Sequence, residues 1–329
     1  MSQPSTADYL AAAAAAYSDD PAGTSGLTLL TGRNGAPVEV TRAADGFHGV
    51  AFETGAGQVI VAFEGIDLDD AETRPTFVAA QVSAGGQIAE GQDPALYADA
   101  LKFANRAVAV AGRQGISSDD VFVDGHSLGG AAAEYVAVKT GLGGATFGAP
   151  GIPAADINTG LPSHLTNYVD YGDPIGNYSD NPNRIGHLLM GDGIERYGSA
   201  TYVGSRSDAR PLAVAGRLYG TSDIGSAVAA GIAVDAIVDH HPLAGYAADL
   251  GQTLPGSGTG PSLTAAEVES ALSTISGVAA GGPTGGQAGG LFGGHGGGIL
   301  GGLGLGQGLG DDARDAVLGA ATRHPGPVA

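Results

Sequence analysis

The sequence predicts an α/β fold in which a mostly parallel central sheet is flanked by helices. Three observations carry this prediction. Strand-like and helix-like segments alternate over the first two thirds of the 329 residues, as they do in βαβ units. The segment from Gln58 to Gly65 is a continuous apolar run closed by glycine, which is typical of a strand buried on both faces. The sequence GHSLGG, at residues 125–130, stands between a strand-like and a helix-like segment.

The individual elements follow from periodicity and turn residues. An alanine run near the N-terminus predicts a short helix, and three strand-like segments after it predict a set of antiparallel strands. Further on, apolar residues at helical spacing predict a crossover helix. A buried helix and, after a capping box at 264–267, one last helix are also predicted. In chain order the segments are 11–16, 27–30, 37–41, 47–53, 58–65, 95–112, 121–124, 131–140, 144–148, 165–170, 224–238 and 268–275.

Composition limits the classes of partner. The chain has 14 basic and 34 acidic residues, and its net charge is −20. Such a surface repels a phosphate backbone, so no nucleic acid partner is expected. No stretch offers about twenty consecutive apolar residues free of glycines and charges, so no transmembrane segment is expected. The absence of cysteine excludes disulfides, thiol catalysis and zinc–thiolate sites, and it leaves the redox compartment open.

Localisation, cofactors and oligomeric state are only weakly constrained. The N-terminus has no basic segment ahead of its alanine run, so no Sec signal peptide is predicted. The composition fits a cytoplasmic protein and equally one secreted by a signal-peptide-independent route. No cofactor is predicted. Calcium is possible but not indicated, because the aspartates of calcium-binding glycine repeats are missing. The oligomeric state stays unknown.

The C-terminal part differs in composition from the rest of the chain. We expect an α/β domain over residues 1–255 and an extension of one helix plus a glycine-rich tail over residues 256–329. From Gly277 to Gly310 glycine dominates, and the few apolar side chains cannot offset the backbone entropy lost on folding. A flexible linker or tail is the simpler interpretation. An uncleaved export signal or an assembly segment is the alternative.

The GHSLGG sequence is the strongest indication of chemistry. The pattern G-x-S-x-G gains weight where a strand turns sharply into a helix, since that turn strains the backbone of the serine and exposes its hydroxyl. Both flanks fit this context, and the glycines at 125 and 129 remove side chains that would clash at the turn. A chance match is the alternative in a chain with 59 glycines. The context favours Ser127 as a nucleophile.

A serine nucleophile needs a base, and in α/β-hydrolases the chain order is serine, then aspartate or glutamate, then histidine. His240 and His241 follow the predicted buried helix and precede a proline, so we expect one of this pair to project as the base from a loop. The other histidines after Ser127 are interpreted as surface, packed or tail residues: His164, His187, His295 and His324.

For the acid, Asp173 is preferred and Asp170 is the fallback. Asp173 comes just after a predicted strand and before Pro174, which fixes the turn. Its carboxylate can therefore lie at the carboxyl end of the strand, where open α/β sheets place their sites. Asp180 and Asp192 also lie at suitable positions in the chain. In so acidic a protein, the alternative for any single aspartate is a solvated charge.

Five motifs together resemble the class 3 lipases, the fungal-lipase-like branch of the α/β-hydrolases. They are FEGI at 63–66, GHSLGG at 125–130, FGAP at 147–150, DPI at 173–175 and HPLAGY at 241–246, and they span about residues 58–246. The resemblance implies an α/β-hydrolase fold with Ser127 as nucleophile, Asp173 as acid and His241 as base. His241 is chosen over His240 because Tyr246 follows it by the spacing of the family motif.

The same resemblance implies an oxyanion hole and a lid. The backbone N–H groups of Ile66 and Leu128 would bind the oxyanion, and the stretch from Asp67 to Pro94 would cover an apolar cleft. An ordinary surface loop and helix is the alternative for that stretch. Where the family usually has arginine and then serine or threonine, this chain has Glu64 and Ile66. A side-chain hydroxyl donor is therefore missing, and loss of one donor costs about 10²–10³ in rate.

The function implied is a serine carboxylic ester hydrolase, with lipase as the preferred name, that acts on a lipid or another ester through an acyl-enzyme. The sequence does not fix the acyl chain, because triacylglycerols, short esters, phospholipids and polyesters share the same carbonyl chemistry. The alternative is a catalytically weak or inactive secreted or surface structural protein, with a hydrolase-like domain and a glycine-rich assembly or export tail.

Overall fold

The computed structural model describes residues 3–157, 163–179, 193–255 and 261–281. Several sequence predictions lie outside these ranges. They concern most of the glycine-rich stretch, with its flexible, export or assembly role, and the residues His187, His295, His324, Asp180 and Asp192.

The described part of the chain alternates strands and helices as the sequence predicts. Its strands are β1 (Thr28–Leu29), β2 (Glu39–Arg42), β3 (Phe47–Glu53), β4 (Val59–Phe63), β5 (Val121–His126), β6 (Gly143–Phe147), β7 (Ile152–Pro153), β8 (Leu165–Asp170), β9 (Ile194–Glu195) and β10 (Ser199–Val203). Its α-helices are α1 (Thr6–Ala15), α2 (Pro21–Ser25), α3 (Pro75–Ala89), α4 (Ala95–Arg113), α5 (Leu128–Thr140), α6 (Ala209–Leu218), α7 (Asp223–His240), α8 (Leu243–Asp249) and α9 (Ala265–Gly281).

The main sheet has the order β1-β3-β4-β5-β6-β8-β10, and β2 also pairs with β3. The pairs formed by β1, β2 and β4 with β3 are antiparallel, as expected for the N-terminal strands. The pairs from β4 across to β10 are all parallel. The carboxyl ends of β4, β5, β6 and β8 therefore meet at one edge of the sheet. Each of these four ends carries or immediately precedes one of the sequence motifs.

Helices cover both faces of the sheet. All five residues of β4 are buried, and they alternate between two cores. Val61 and Phe63 belong to the core that holds the buried faces of α4 and α5. Ile60 and Ala62 belong to a second core, which contains the alanines of α1. The small alanine side chains let α1 lie close to the sheet. Burial on both faces accounts for the continuous apolar run that predicts this strand.

The helix after the capping box packs onto the rest of the molecule. The Thr264 hydroxyl donates to Glu267 Oε2 at 2.6 Å, and α9 then runs against α3 and α7. Val268 and Leu272 are 4 % and 5 % exposed. The predicted helix is confirmed, and these two of its apolar side chains are buried. The division of the chain at residue 255 stays a prediction.

The predicted fold class is confirmed. A mostly parallel central sheet with helices on both faces, and a sharp strand–turn–helix after β5, make up an α/β-hydrolase fold. Within the described residues, no helix combines the length and the apolar character needed to cross a membrane.

Candidate active site

Ser127 lies at the sharp turn between β5 and α5. Its φ of 57° and ψ of −126° make it the sole non-glycine residue with positive φ in the described part of the chain. The motif glycines are required by packing. A Cβ on Gly125 would lie 2.3 Å from the carbonyl carbon of Gly129, and one on Gly129 would lie 2.1 Å from the oxygen of Phe63. The turn therefore holds the serine in a conformation that costs about 1–3 kcal/mol.

Ser127, His241 and Asp173 form one hydrogen-bonded chain. His241 Nδ1 lies 2.9 Å from Asp173 Oδ2, and His241 Nε2 lies 2.8 Å from Ser127 Oγ. A carboxylate can only accept, so the proton is on Nδ1 and Nε2 accepts from the serine hydroxyl. Asp173 is fully buried and His241 is 5 % exposed. The structure therefore brings together the three side chains that the sequence nominates as nucleophile, acid and base.

The loop predicted for the histidine pair is wrong for His240. Helix α7 continues through His240, and His241 is its C-cap, with the N–H of His241 bonded to Ile237 O at 3.0 Å. The helix ends there because Pro242, which follows, has no N–H for the next helical hydrogen bond and adopts an extended ψ of 139°. His240 also points elsewhere, since its Nδ1 lies 3.3 Å from Asp170 Oδ1. Asp170, the fallback acid, is thus paired with the other histidine.

The Asp173 carboxylate is held from several sides. The Tyr246 hydroxyl donates to Oδ2 at 2.6 Å, and the Ile175 N–H donates to Oδ1 at 2.8 Å. Gly148, in the FGAP motif, leaves the space that this arrangement needs. A Cβ on Gly148 would lie 2.9 Å from Asp173 Oδ2 and 3.1 Å from His241 Nδ1. The DPI, FGAP and HPLAGY motifs therefore meet around one carboxylate.

His126, next to the serine, anchors the backbone of His241. Its Nε2 lies 2.8 Å from the carbonyl oxygen of His241, and its Nδ1 lies 2.8 Å from the hydroxyl of Tyr17. Burial, together with the nearby His241, lowers the pKa of His126 to about 3, so the ring is neutral at neutral pH. Because a carbonyl only accepts, Nε2 carries the proton and Nδ1 accepts from Tyr17. The sequence gives no signal for Tyr17, which lies 109 positions before its partner.

The two expected oxyanion donors lie beside the serine. Ile66 follows β4, and Leu128 is the first residue of α5, where the helix dipole places partial positive charge. In the described residues, no protein acceptor takes either N–H. A Cβ on Gly65 would lie 3.2 Å from the Cβ of Ser127, so the loop that carries Ile66 passes close to the nucleophile.

The stretch expected to hold a lid contains a short 3-10 turn and helix α3. Phe77, Val78 and Val82 of α3 pack against Ile66 and Leu68. Gln81, on the same helix, is fully buried. The lid therefore stays a prediction, and an ordinary surface loop and helix stays its alternative.

Glu64, which stands where the family usually has arginine, is buried. Its Oε1 lies 3.0 Å from Arg74 Nη2, and its Oε2 lies 2.9 Å from His48 Nδ1. Burial alone lowers the pKa of His48, but hydrogen bonds with Glu39 and Glu64 outweigh this effect and raise it to about 9. The charge that the sequence leaves unexplained is therefore paired inside the molecule.

The carboxylates of Glu64, Asp67 and Asp70 converge to within 4.8 Å of one another, a geometry that could hold a metal ion. The guanidinium of Arg74 lies against all three, at 3.0 Å from Glu64, 4.0 Å from Asp67 and in direct contact with Asp70. Arg74 therefore already supplies the positive charge at this cluster. The sequence shows no spacing that would have predicted it.

A mostly apolar cavity of about 110 Å³ opens onto the serine. Its wall is built from the loop after β4, helix α3, the turn at Ser127, helix α7, and helix α9 with the segment before it. The lining residues are Ile66, Leu68, Gly85, Ile88, His126, Ser127, Leu128, Pro150, Ile175, Ile237, His241, Pro242, Pro261, Leu263, Val268, Ala271 and Leu272. The residues after 260 were not expected at the site, because the sequence assigns them to an extension.

Solved structures that match part of the chain include two lipases. A triacylglycerol lipase from Penicillium expansum is 15 % identical, covers 62 % of this chain and 81 % of its own, and has a TM-score of 0.36. An extracellular lipase from Serratia marcescens is 20 % identical, covers 52 % of this chain and 29 % of its own, and has a TM-score of 0.29. No family model and no curated protein matches the sequence.

Proposed function

We propose that this protein is a serine carboxylic ester hydrolase of the lipase type. Ser127 is the nucleophile, His241 the base and Asp173 the acid, and the backbone N–H groups of Ile66 and Leu128 form the oxyanion hole. The observation that carries the proposal is the unbroken chain from the Ser127 hydroxyl through His241 to a buried carboxylate, at the mouth of an apolar cavity.

In the first half of the reaction, the Ser127 Oγ attacks the carbonyl carbon of the ester and His241 Nε2 takes its proton. The carbonyl oxygen becomes an oxyanion, to which the N–H groups of Ile66 and Leu128 donate. Asp173 holds the imidazole orientation and stabilises the imidazolium without taking its proton. His241 then gives the proton to the alcohol oxygen, the ester C–O bond breaks, and an acyl-enzyme and free alcohol result.

In the second half, water replaces the alcohol. His241 takes a proton from the water as its oxygen attacks the acyl carbon, and the same two N–H groups bind the second oxyanion. Return of the proton to Ser127 Oγ releases the carboxylic acid and restores the enzyme. The residues supply each proton transfer, and no cofactor enters these steps.

The cavity supports an ester with an apolar acyl group. Its lining side chains are mostly aliphatic, and the polar side chains among them are those of Ser127, His126 and His241. A pocket of this kind binds by burial of apolar surface, while a few polar groups fix the orientation. Lipids and other hydrophobic esters are therefore the proposed substrates. The net charge of −20 disfavours a nucleic acid partner.

The test combines turnover with labelling. Purified protein is incubated with para-nitrophenyl esters of graded acyl length, and a serine-directed phosphonate is applied in parallel, with Ser127→Ala as the control. We expect turnover in the wild type only, and a phosphonate adduct on Ser127 by mass spectrometry. Absence of both would reject the proposal and favour the structural protein with an inactive hydrolase-like domain. That alternative is favoured by Glu64 and Ile66, which replace the usual residues at the oxyanion strand.

A further inference from the structure

The cavity beside Ser127 is closed on one side by chain from the C-terminal extension. Pro261 and Leu263 line it from the segment before α9, and Leu272 lines it from the helix itself. This segment is tied down at its start. The Ser262 N–H donates to Asp69 Oδ2 at 3.1 Å, and the Ser262 hydroxyl lies 3.3 Å from Asp69 Oδ1.

The helix that follows is packed as a wall. Val268 and Leu272 are almost fully buried and share a core with α7, while Ala271 packs against the α3 cluster. Ile66, Ile88 and the turn at Ser127 also line the cavity. An acyl group bound at Ser127 in this cavity would therefore lie against α9.

The size of the cavity limits what fits. Its volume is about 110 Å³. A cavity of about 150 Å³ lined by aliphatic and aromatic side chains holds one benzene molecule. The space beside Ser127 therefore matches an acyl group of a few carbons in size, and the side chains of α9 lie along it.

We propose that residues 261–272 form the wall that sets the acyl-chain length, and that the protein prefers short acyl groups. The proposal rests on the proposed function, and it assigns specificity to a segment that carries no catalytic group. Leu272 is the main determinant of acyl-chain length, because its side chain is shielded from solvent and lines the cavity.

The test compares kcat/KM for para-nitrophenyl acetate, butyrate, octanoate and laurate in the wild type and in Leu272→Ala. A single methylene in such a pocket discriminates by about 10–200-fold. We expect the wild type to be fastest on acetate or butyrate, and the octanoate-to-butyrate ratio to rise about tenfold or more in the variant. Leu142→Ala is the matched control, since Leu142 is a buried leucine that precedes β6 at the opposite edge of the sheet.

The outcomes separate the two proposals. Two results would overturn the proposal that residues 261–272 set the acyl-chain length while leaving the proposed esterase function standing. One is serine-dependent turnover with an unchanged octanoate-to-butyrate ratio in Leu272→Ala, and the other is a wild-type optimum at laurate. No turnover of any ester above Ser127→Ala would overturn the esterase itself. If Leu272→Ala does not fold, Leu272→Phe narrows the same space and should shift the preference from butyrate towards acetate. The wild-type profile decides in either case.

A second, independent observation concerns the oxyanion hole. The side chain of Gln81 is fully buried in α3. Its Nε2 donates to the carbonyl oxygen of Gly65 at 2.7 Å, and its Oε1 accepts from the N–H of Asp67 at 3.1 Å. These two backbone groups flank Ile66, so one amide side chain clamps the donor residue from both sides.

The first of these bonds acts on the donor directly. The Gly65 carbonyl and the Ile66 N–H belong to the same planar peptide, so fixing the oxygen also fixes the direction of the N–H. A hydrogen bond to the oxygen polarises the peptide and strengthens its N–H as a donor. We infer that Gln81 is a positioning residue for the oxyanion hole, which here has no side-chain hydroxyl at Ile66. This inference also rests on the proposed function.

Gln81→Met, which keeps the length and removes the polar groups, and Gln81→Glu, which removes the donor, test this role. We expect kcat to fall about 10²-fold, the order for loss of one oxyanion donor, with KM little changed. Affinity for a boronic acid that mimics the tetrahedral intermediate should fall in parallel. Gln87→Met on the same helix is the control and should leave both quantities unchanged.

A different pattern would assign Gln81 to structure. A folded Gln81→Met variant with wild-type kcat, or with raised KM and normal kcat, would overturn the inference. So would loss of the folded state in both variants, because the side chain would then serve stability. Lack of ester turnover in the wild type would instead reject the proposed function.

Discussion

Two aspartate–histidine pairs lie side by side at the carboxyl end of β8. In one, His241 Nδ1 is 2.9 Å from Asp173 Oδ2, and in the other, His240 Nδ1 is 3.3 Å from Asp170 Oδ1. The His241 side chain is 7 % exposed and the His240 side chain is 26 % exposed. Only His241 has a serine hydroxyl at its second nitrogen. A contact with an aspartate therefore does not identify the base. The base is identified by the serine hydroxyl at the second nitrogen of its ring.

Tyr246 connects the two pairs. Its hydroxyl donates to the carboxylate of Asp173 at 2.6 Å and accepts from the backbone N–H of Asp170 at 3.2 Å. Burial and the nearby Asp173 raise the pKa of Tyr246 well above its usual value, so it remains a donor at any relevant pH. The carboxyl end of β8 thus carries two histidine–aspartate pairs, one buried and one with a partly exposed histidine, and the Tyr246 hydroxyl bonds to both.

The largest effect should separate the two histidines. In His241→Ala we expect kcat to fall by about 10⁴-fold or more, because the serine loses its proton acceptor. His240→Ala should stay within about threefold of the wild type, since the His240 imidazole pairs with Asp170 and its removal leaves the hydrogen bonds among Ser127, His241 and Asp173 in place. The measurement is ester turnover with active-site titration. The reverse result, with His240 essential and His241 dispensable, would show that the base is misassigned.

The two aspartates should differ in the same way. Asp173→Asn is expected to lower kcat by about 10⁴-fold, because an amide favours the wrong tautomer of the imidazole. Asp170→Asn is the matched control and should cost less than about tenfold. Steady-state kinetics on both variants, with circular dichroism to verify folding, makes the comparison. Equal losses would mean that the carboxylates share one role.

Tyr246→Phe should have a smaller effect that falls on the buried pair. The Asp173 carboxylate loses one of its donors, and we expect kcat/KM to fall about tenfold, which corresponds to about 1.4 kcal/mol. Unfolding in urea should show a loss of about 1.5–3 kcal/mol, the range for hydrogen bonds to charged groups. An unchanged kcat/KM with reduced stability would restrict the phenol to a structural role.

The smallest effect concerns stability and pH at His240. Its hydrogen bond with Asp170, helped by the charges of Asp208 and Asp239, outweighs burial and raises its pKa. The pair therefore stabilises the fold fully below the pKa of an unfolded histidine, about 6.5, and this stabilisation is lost as pH rises through the higher folded value. His240→Ala should cost about 0.2–1 kcal/mol at pH 5.5, and less at pH 9.

Asp249 needs a control in that measurement, because it titrates in the same range. Burial and the neighbouring Asp170 raise the pKa of its carboxyl to about 6. The His240→Ala comparison is therefore repeated in an Asp249→Asn background, with chemical unfolding at both pH values. A cost that grows with pH would contradict the assigned direction.

The features that could be predicted from the sequence are those that local sequence patterns determine. The burial of β4, the turn at Ser127 and the helix after Thr264 follow from periodicity, glycine placement and capping, which act within a few residues. The motif order also placed Asp173 and His241 near the serine. Their catalytic roles stay proposals.

Contacts between segments that are distant in the sequence could not be predicted from it. Nothing in the spacing of Tyr17, Glu64 or Gln81 indicates their partners, because each contact depends on how helices dock on the sheet. The extension was separated from the rest of the chain by composition, yet its helix packs on α3 and α7. The loop expected at His240 was wrong because α7 runs through His240 to its C-cap at the residue before Pro242, where the proline ends it.

The docking of α9 has a consequence for biosynthesis. Tyr17, near one end of the chain, supports the backbone of the base, and Leu272, towards the other end, encloses the cavity. A nascent chain that has emerged as far as HPLAGY already contains Ser127, Asp173 and His241, but the part of the cavity wall that α9 forms is added only when this helix is translated and docks. Chains that stop before α9 would have the three side chains without that part of the wall.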